Sequence, residues 1–303
     1  MILLISPKNK YSTRRLKEEA EKRGVSITIM DIEALAKMSF QVNVSLFSSL
    51  YIRQVYPYFN EVSELARRFK EEGKYVIDGN FIIHGFKTSK WGMYQNLEEA
   101  GLPIPHTALL ATSYLLSTQY PLVLKWVFGF GGKDVFLVHN QEELQEIKKL
   151  HPDSEWLAQD YIKADKEFEV YVTGNTSVPK ILAFEIKNGF KADVRRYSVV
   201  YNGSGYHNFQ KLALLAEQAA RAFGMELCKV DILESQGRLY ILEVNRTPGL
   251  VSFESLIGYN IAGEFVDHLI RKDSHMNKVL NEKPDIAVPP QPVKPQEPVQ
   301  PQA

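Results

Sequence analysis

The residues with the clearest chemical pattern are two short acidic segments in the last third of the chain. Asp231-Ile232-Leu233 and Glu243-Val244-Asn245 each lie in an apolar, β-rich run, and Gln236-Gly237-Arg238 between them reads as a hairpin turn. Antiparallel pairing across that turn sets Asp231 beside Glu243, and Asn245, two residues on, points to the same face as Glu243. Three oxygen donors then converge, a set that suits Mg²⁺, which keeps several waters and completes its shell with substrate phosphates. The plainer alternative is a solvated strand edge with incidental carboxylates. Glu243 argues against it, because it sits between Tyr240-Ile241-Leu242 and Val244, where an unpaired charge is costly.

Lys125 follows the apolar run Pro121-Leu122-Val123-Leu124 and precedes Trp126 and Val127, which makes it a lysine in a half-buried strand, available to phosphate. A few residues on, Gly129-Phe130-Gly131-Gly132-Lys133 can approach phosphate oxygens through backbone N–H groups. It is not a Walker A loop, since neither Ser nor Thr follows Lys133, and by itself it is a mobile hairpin. The seven histidines show no i, i+4 pair and no cysteine companions, so zinc has little support. Gly203-Ser204-Gly205 is not a nucleophile elbow, and the single Cys228 lies in an apolar setting that reads as core.

These residues need elements to hold them. An apolar stretch at 2–5, a helical pattern at 13–23 and a β-rich run at 25–30 predict a βαβ opening, extended by strands at 50–53 and 74–78 around a helix at 61–71. A helix at 90–100 and strands at 122–127 and 134–138 flank the glycine-rich loop. A helix near 141–149 follows, then strands at 156–159, 168–173 and 180–187, a helix at 209–223, and the strand pair that carries the carboxylates. From Asn281 onward the chain holds seven of its fifteen prolines, a composition that cannot bury a core and reads as an extended tail.

The 303 residues carry 36 basic and 36 acidic side chains. A net charge of zero gives no global field for nucleic acid or an anionic membrane, so any anion site is assembled locally. Without a signal-type leader or a membrane-length apolar stretch, a cytoplasmic protein is expected.

Taken in order, Lys90, Lys125, the glycine-rich loop, Gln159-Asp160-Tyr161-Ile162, Val230-Asp231-Ile232-Leu233 and Glu243-Val244-Asn245-Arg246-Thr247-Pro248-Gly249 resemble the ATP-grasp ligases, and RimK-like amino-acid and peptide ligases most closely. Gly258-Tyr259-Asn260-Ile261-Ala262-Gly263 resembles the segment that follows their metal ligands, and the likeness spans residues 1–272. It implies an α/β (α+β) fold: a βαβ pre-ATP-grasp domain at 1–85, a small lid subdomain with a linker helix at 86–165, and a C-terminal subdomain with the metal site at 166–272. ATP is clasped between antiparallel sheets, and 273–303 form a disordered Pro/Gln-rich tail.

By the same resemblance, Lys90, Lys125 and the backbone of Gly129, Gly131 and Gly132 meet phosphates. Gln159, Asp160, Tyr161 and Ile162 meet adenine, and Glu167 holds the ribose. Asp231, Glu243 and Asn245 bind Mg²⁺, with Mn²⁺ as an alternative. Lys125, Lys191, Arg195 and Arg196 are the expected catalytic cations, and Arg53 and Arg246 the expected substrate contacts. Where many relatives carry arginine two positions after the ribose acid, this chain has Glu169. The implied reaction is ATP-dependent amide or peptide bond formation through an acylphosphate, with ADP and phosphate released. Its partners are a small-molecule or peptide carboxylate and an amine acceptor, with a protein acceptor and a homo-oligomer also open, and no nucleic acid or membrane. Two other classes fit the same residues: a phosphotransferase acting on a hydroxyl, and a non-catalytic ATP-binding protein. The complete three-residue metal set argues against the last.

Overall fold

The computed structural model describes residues 1–83, 89–110, 120–129, 134–150, 155–164, 166–187, 190–201 and 206–281. The chain opens with β1 (Ile2–Ile5), α1 (Tyr11–Lys22), β2 (Ile27–Met30), α2 (Ile32–Lys37), β3 (Ser49–Ile52), α3 (Phe59–Glu71), β4 (Tyr75–Val76) and α4 (Gly79–Ile83). Its four strands form a parallel sheet in the order β2-β1-β3-β4. All four residues of β1 are buried, as a parallel strand covered on both faces requires. Alternation divides them: Leu3 and Ile5 join Val62, Leu65 and Phe69 of α3 in one core, whereas Ile2 and Leu4 join Leu16 and Ala20 of α1 in another.

Next come α5 (Lys90–Glu99), β5 (Thr107–Leu109), β6 (Leu122–Trp126), β7 (Val135–Val138), α6 (Gln141–Leu150) and β8 (Trp156–Asp160). Ser89 caps α5, its Oγ accepting from the Gly92 N–H at 3.1 Å. The strands form an antiparallel sheet in the order β5-β8-β6-β7. Leu122 and Leu124 pack with Val138, Trp156 and Leu144 of α6. Val123 and Lys125, which alternate with them along β6, therefore face the other way.

The third unit comprises β9 (Lys166–Thr173), β10 (Thr176–Lys187), β11 (Lys191–Tyr201), α7 (Phe209–Ala222), β12 (Leu227–Ser235), β13 (Arg238–Asn245), α8 (Val251–Ile257) and α9 (Ile261–Asn281). Its antiparallel sheet has the order β11-β10-β9-β12-β13. Phe168, Val170, Val230, Ile232 and Ile241 belong to the same core as Leu212, Leu215, Ala216 and Ala219 of α7. Cys228 lies in that core as well, fully buried, and burial pushes its thiol well above the ordinary range.

Helices α2, α4, α8 and α9 and strands β5 and β11 depart from the sequence-based expectation. Strands β5 and β11 were not anticipated: β5 has three residues, and β11 is an edge strand rich in Lys and Arg, a composition that discourages edge pairing and hides the apolar period. Helix α9 passes the expected boundary at 272 and reaches Asn281, because no proline interrupts the chain before Pro284. Residues 282–303 lie outside the described residues. Among the described residues no helix is long and apolar enough to cross a membrane.

Asp78 ties the parallel sheet to the third unit. It is fully buried at φ +52°, its Oδ1 accepts from the Glu226 N–H at 2.6 Å, and its Oδ2 lies 4.0 Å from Arg246. Burial, opposed by Arg246, pushes its carboxyl up to about 7. The folded protein therefore holds a proton that the unfolded chain releases near 3.8, and Asp78 erodes stability as pH rises between 3.8 and about 7. Asp78→Asn is expected to gain stability relative to the parent across that range and to keep a constant difference above it, as read by urea unfolding at several pH values. A difference independent of pH would refute the assignment.

Candidate active site

Strand alternation and register assemble the charged centre. On one face of the five-stranded sheet, Glu169 on β9, Asp231 on β12 and Glu243 on β13 lie opposite one another in a single row. Lys229 and Asn245 are opposite each other in the next row, with Tyr171 beyond. The register shifts between Asp231 and Ile232, where β13 carries one extra residue opposite β12. The shift lets two consecutive β13 residues, Leu242 and Glu243, both line the cavity beneath the four-stranded sheet, where regular alternation would have sent one of them to the opposite face.

That cavity, of about 510 Å³, collects Lys90, Lys125, Gln159, Asp160, Tyr161, Ile162, Glu167, Asp231 and Glu243, half of the sequence-predicted set. Its remaining lining is mostly apolar, including Val123, Val135, Ile186, Phe190, Leu233 and Leu242. One flank can thus receive a flat apolar group, while the other presents lysines and carboxylates.

Helix α5 delivers two groups from one face, since Lys90 and Tyr94 are four residues apart. Lys90 Nζ donates to Glu243 Oε1 at 2.9 Å. The Tyr94 hydroxyl accepts from Lys125 Nζ at 2.7 Å and donates to the Leu242 carbonyl at 2.7 Å. Lys125 is 9% exposed, so this hydroxyl fixes an ammonium that is nearly out of water. Lys229 Nζ lies 2.5 Å from Glu169 Oε1 and 2.9 Å from Asp231 Oδ1, and Asn245 Nδ2 donates to Asp231 Oδ2 at 3.0 Å.

The electrostatics follow from this packing. Burial, opposed by Lys229 and reinforced by Glu169, Glu167 and Glu243, pushes the Asp231 carboxyl up to about 8. Burial raises Glu167 as well. Glu243 falls below its usual range, because Lys90, Lys125 and Lys229 together outweigh its burial. Lys229 is raised, burial being overcome by Asp231 and Glu169.

Among the described residues no three His, Cys, Asp or Glu side chains are grouped to hold a metal, so the pair Asp231 and Glu243 depends on an amide for a third donor. Asn245 is the candidate: it lies outside the cavity lining, one row from Asp231, with its nitrogen spent on Asp231 and its oxygen left as an acceptor. Asp231 Oδ1 is buried and lacks a well-aligned hydrogen bond despite the nearby ammonium. Two carboxylates, one of them with an under-bonded buried oxygen, and an amide oxygen fit a hard cation that shares its shell with phosphates.

Other predicted residues lie elsewhere. Arg53 is half-buried outside the cavity lining, donating to the Pro248 carbonyl at 2.7 Å and to the Tyr51 hydroxyl at 3.0 Å. Arg246 is buried outside it too and donates to the Ile52 carbonyl beside Asp78. The Gln159 side chain is tied to Thr107 Oγ1 at 2.7 Å. Gly129 follows β6, with its N–H bonded to the Trp126 carbonyl at 3.0 Å, while Gly131 and Gly132 lie outside the described residues. Lys191, Arg195 and Arg196 belong to β11, and the pairing of Phe184 with Tyr197 and of Glu185 with Asp193 leaves 194–196 bulged from the ladder. The side chains of these three lie outside the described residues. Sequence reasoning missed Lys229 and Tyr94, although each stands at a legible spacing: Lys229 two residues before Asp231 on a strand, Tyr94 four after Lys90 on a helix.

The sequence matches the RimK-like ATP-grasp domain over residues 88–269. It is 27% identical over 300 residues to a protein of Histophilus somni named "Probable alpha-L-glutamate ligase", covering 89% of this chain and 97% of that protein. The Haemophilus influenzae protein of the same name is 25% identical, with 89% and 96% covered. Among solved structures, the fold superimposes on the ATP-grasp ligase PsnB complexed with a phosphomimetic variant of its minimal precursor, Mg and ADP (TM-score 0.70, 16% identity, 90% and 98% covered). It also superimposes on a RimK domain ATP-grasp protein of Sphaerobacter thermophilus (TM-score 0.65, 18% identity, 89% and 99% covered). With the family match spanning more than half of the chain and the three-sheet architecture shared with these ligases, the protein belongs to the RimK-like ATP-grasp family.

Proposed function

We propose that the protein is an ADP-forming carboxylate–amine ligase that takes glutamate as one of its substrates and an amino acid or peptide as the other. The observation that carries this reading is the single cavity in which Lys90 and Lys125 face Asp231 and Glu243 beside an apolar flank. The relatives named for glutamate ligation support the amino acid, and the PsnB complexes with a precursor peptide support the peptide.

In this reading the base of ATP lies along Val123, Val135 and Leu233, against the backbone at 159–162. Glu167 receives the ribose, and Lys90 and Lys125 meet the phosphates. Asp231, Glu243 and Asn245 would hold Mg²⁺, which when bound neutralises charge on the phosphate oxygens. A substrate carboxylate oxygen attacks the γ-phosphorus, the bond to the β–γ bridging oxygen breaks, and ADP leaves with that oxygen. Lys125 stabilises the transferred phosphoryl group, its ammonium already oriented by Tyr94. The amine then attacks the acyl carbon and loses a proton, and inorganic phosphate departs. No protein nucleophile is required. The glycine-rich segment takes the role of excluding water from the acylphosphate in this reading, and Lys191, Arg195 and Arg196 that of neutralising charge on the transferred group. Arg53 is assigned to a substrate carboxylate, which would have to reach past the cavity lining to a guanidinium already held by Pro248 and Tyr51.

Turnover of Mg²⁺-ATP against glutamate with pooled amino acids and short peptides tests the proposal. ADP and phosphate are expected, with a mass-spectrometric product equal to the two substrates less one water. AMP or a stable phosphate ester would refute it. Lys125→Ala and Glu243→Ala should each cut ADP formation by about 100-fold or more while circular dichroism shows the fold retained at the assay temperature; near-normal turnover in either removes that residue from the chemistry. Arg53→Ala should raise KM for the carboxylate substrate about tenfold with little change in kcat, and an unchanged KM would place the carboxylate elsewhere.

A further inference from the structure

Both carboxylates assigned to the metal are already held by lysines from different elements. Lys90 of α5 is on Glu243 at 2.9 Å, and Lys229 of β12 is on Asp231 at 2.9 Å. A dication approaching this pair must compete with two ammonium groups in a setting where charge interactions are only weakly screened. The two lysines differ in where they can go. Lys90 lines the cavity and can exchange Glu243 for a phosphate. Lys229 does not line it; its other contact is Glu169, at 2.5 Å, so its alternative seat is part of the protein. Glu169 lies directly opposite Asp231 on the neighbouring strand, and the ammonium can therefore move from one carboxylate to the other without leaving the sheet face.

We propose that Lys229 is a positioning residue that makes metal binding conditional on nucleotide: seated between Asp231 and Glu169, it competes with a lone divalent cation for Asp231, and it retires to Glu169 when phosphates draw Lys90 from Glu243 and bring the metal in. The inference rests on the metal-site reading above. Its consequence is an order of events. Metal and nucleotide enter together, and a bare metal ion binds poorly to carboxylates that would otherwise attract it.

The test is calorimetric titration with Mn²⁺ in mildly alkaline buffer, with and without saturating ADP, on the parent protein, Lys229→Met, the double variant Lys229→Met/Glu169→Gln, and Asp231→Asn. The double variant loses one positive and one negative charge, so net charge is unchanged and no buried carboxylate is left alone at position 169 if the single variant folds poorly. Both Lys229 variants are expected to bind Mn²⁺ at least about tenfold more tightly than the parent in the absence of ADP. The factor by which ADP strengthens Mn²⁺ binding should fall by a similar amount. A residue that merely supported the strand would not alter that factor selectively. Unchanged or weaker nucleotide-free Mn²⁺ affinity in the double variant overturns the inference. If Asp231→Asn leaves Mn²⁺ affinity with ADP unchanged, the metal-site reading itself fails.

Discussion

Concentrating carboxylates on one face of a sheet is the constraint around which the molecule is organised. Glu167, Glu169, Asp231 and Glu243 come from three neighbouring strands, and their mutual repulsion in a shielded setting would be severe without cations from outside that row. Lysines answer it from three directions: Lys229 from within the sheet, Lys90 from a helix packed against its edge, and Lys125 from the sheet above. The position of α5 follows, since it must present Lys90 to Glu243 and Tyr94 to Lys125 in the same turn. The opposite face of the sheet is correspondingly plain, with aliphatic and aromatic side chains that pack with α7 and carry the stability the charged face lacks.

A second set of contacts holds the chain leaving this centre. The Tyr171 hydroxyl donates to the Gly249 carbonyl at 2.6 Å, its ring lies 4.5 Å from that of Phe253, and Arg53 reaches the Pro248 carbonyl. The loop after Asn245 is thereby pinned by the five-stranded sheet and by the end of β3 together. Arg246 and Asp78 add a buried charged contact between the same two layers. The carboxylate row is therefore bounded by a segment with little freedom, although that segment is irregular.

Much of this was legible in the sequence, for identifiable reasons. Reading the turn as three residues at 236–238 counts Asp231 opposite Glu243, and the two do meet, but the turn is Gln236–Gly237 with Ser235 opposite Arg238, so it is the extra β13 residue that brings Glu243 to Asp231. The alternation around Lys125 likewise sends it away from the core of its own sheet. The bulge that exposes Leu242 beside Glu243 could not be counted, because local composition does not announce an extra residue in an otherwise regular strand. Strand β11 was hidden by its charged edge composition. The side chain of Gln159 was tied to Thr107 by pairing between strands distant in sequence, which no local pattern encodes. Lys229 had a readable spacing, but nothing in the sequence alone says that Glu169 stands across the strand from Asp231.

The Tyr94 hydroxyl carries a consequence for how the cavity opens. It accepts from Lys125 on one sheet and donates to Leu242 on the other, so raising the upper sheet stretches a hydrogen bond and also draws an ammonium away from Glu167 and Glu243. Opening is work against an electric field, and closure is a fall down it. Added salt leaves the buried pairs of the closed cleft almost untouched and screens the field, within about 10 Å at 0.1 M, only once the cleft has opened to water, so it lowers the work of opening. The width of the cleft is in this sense tunable by the ionic medium, with no hinge residue changed.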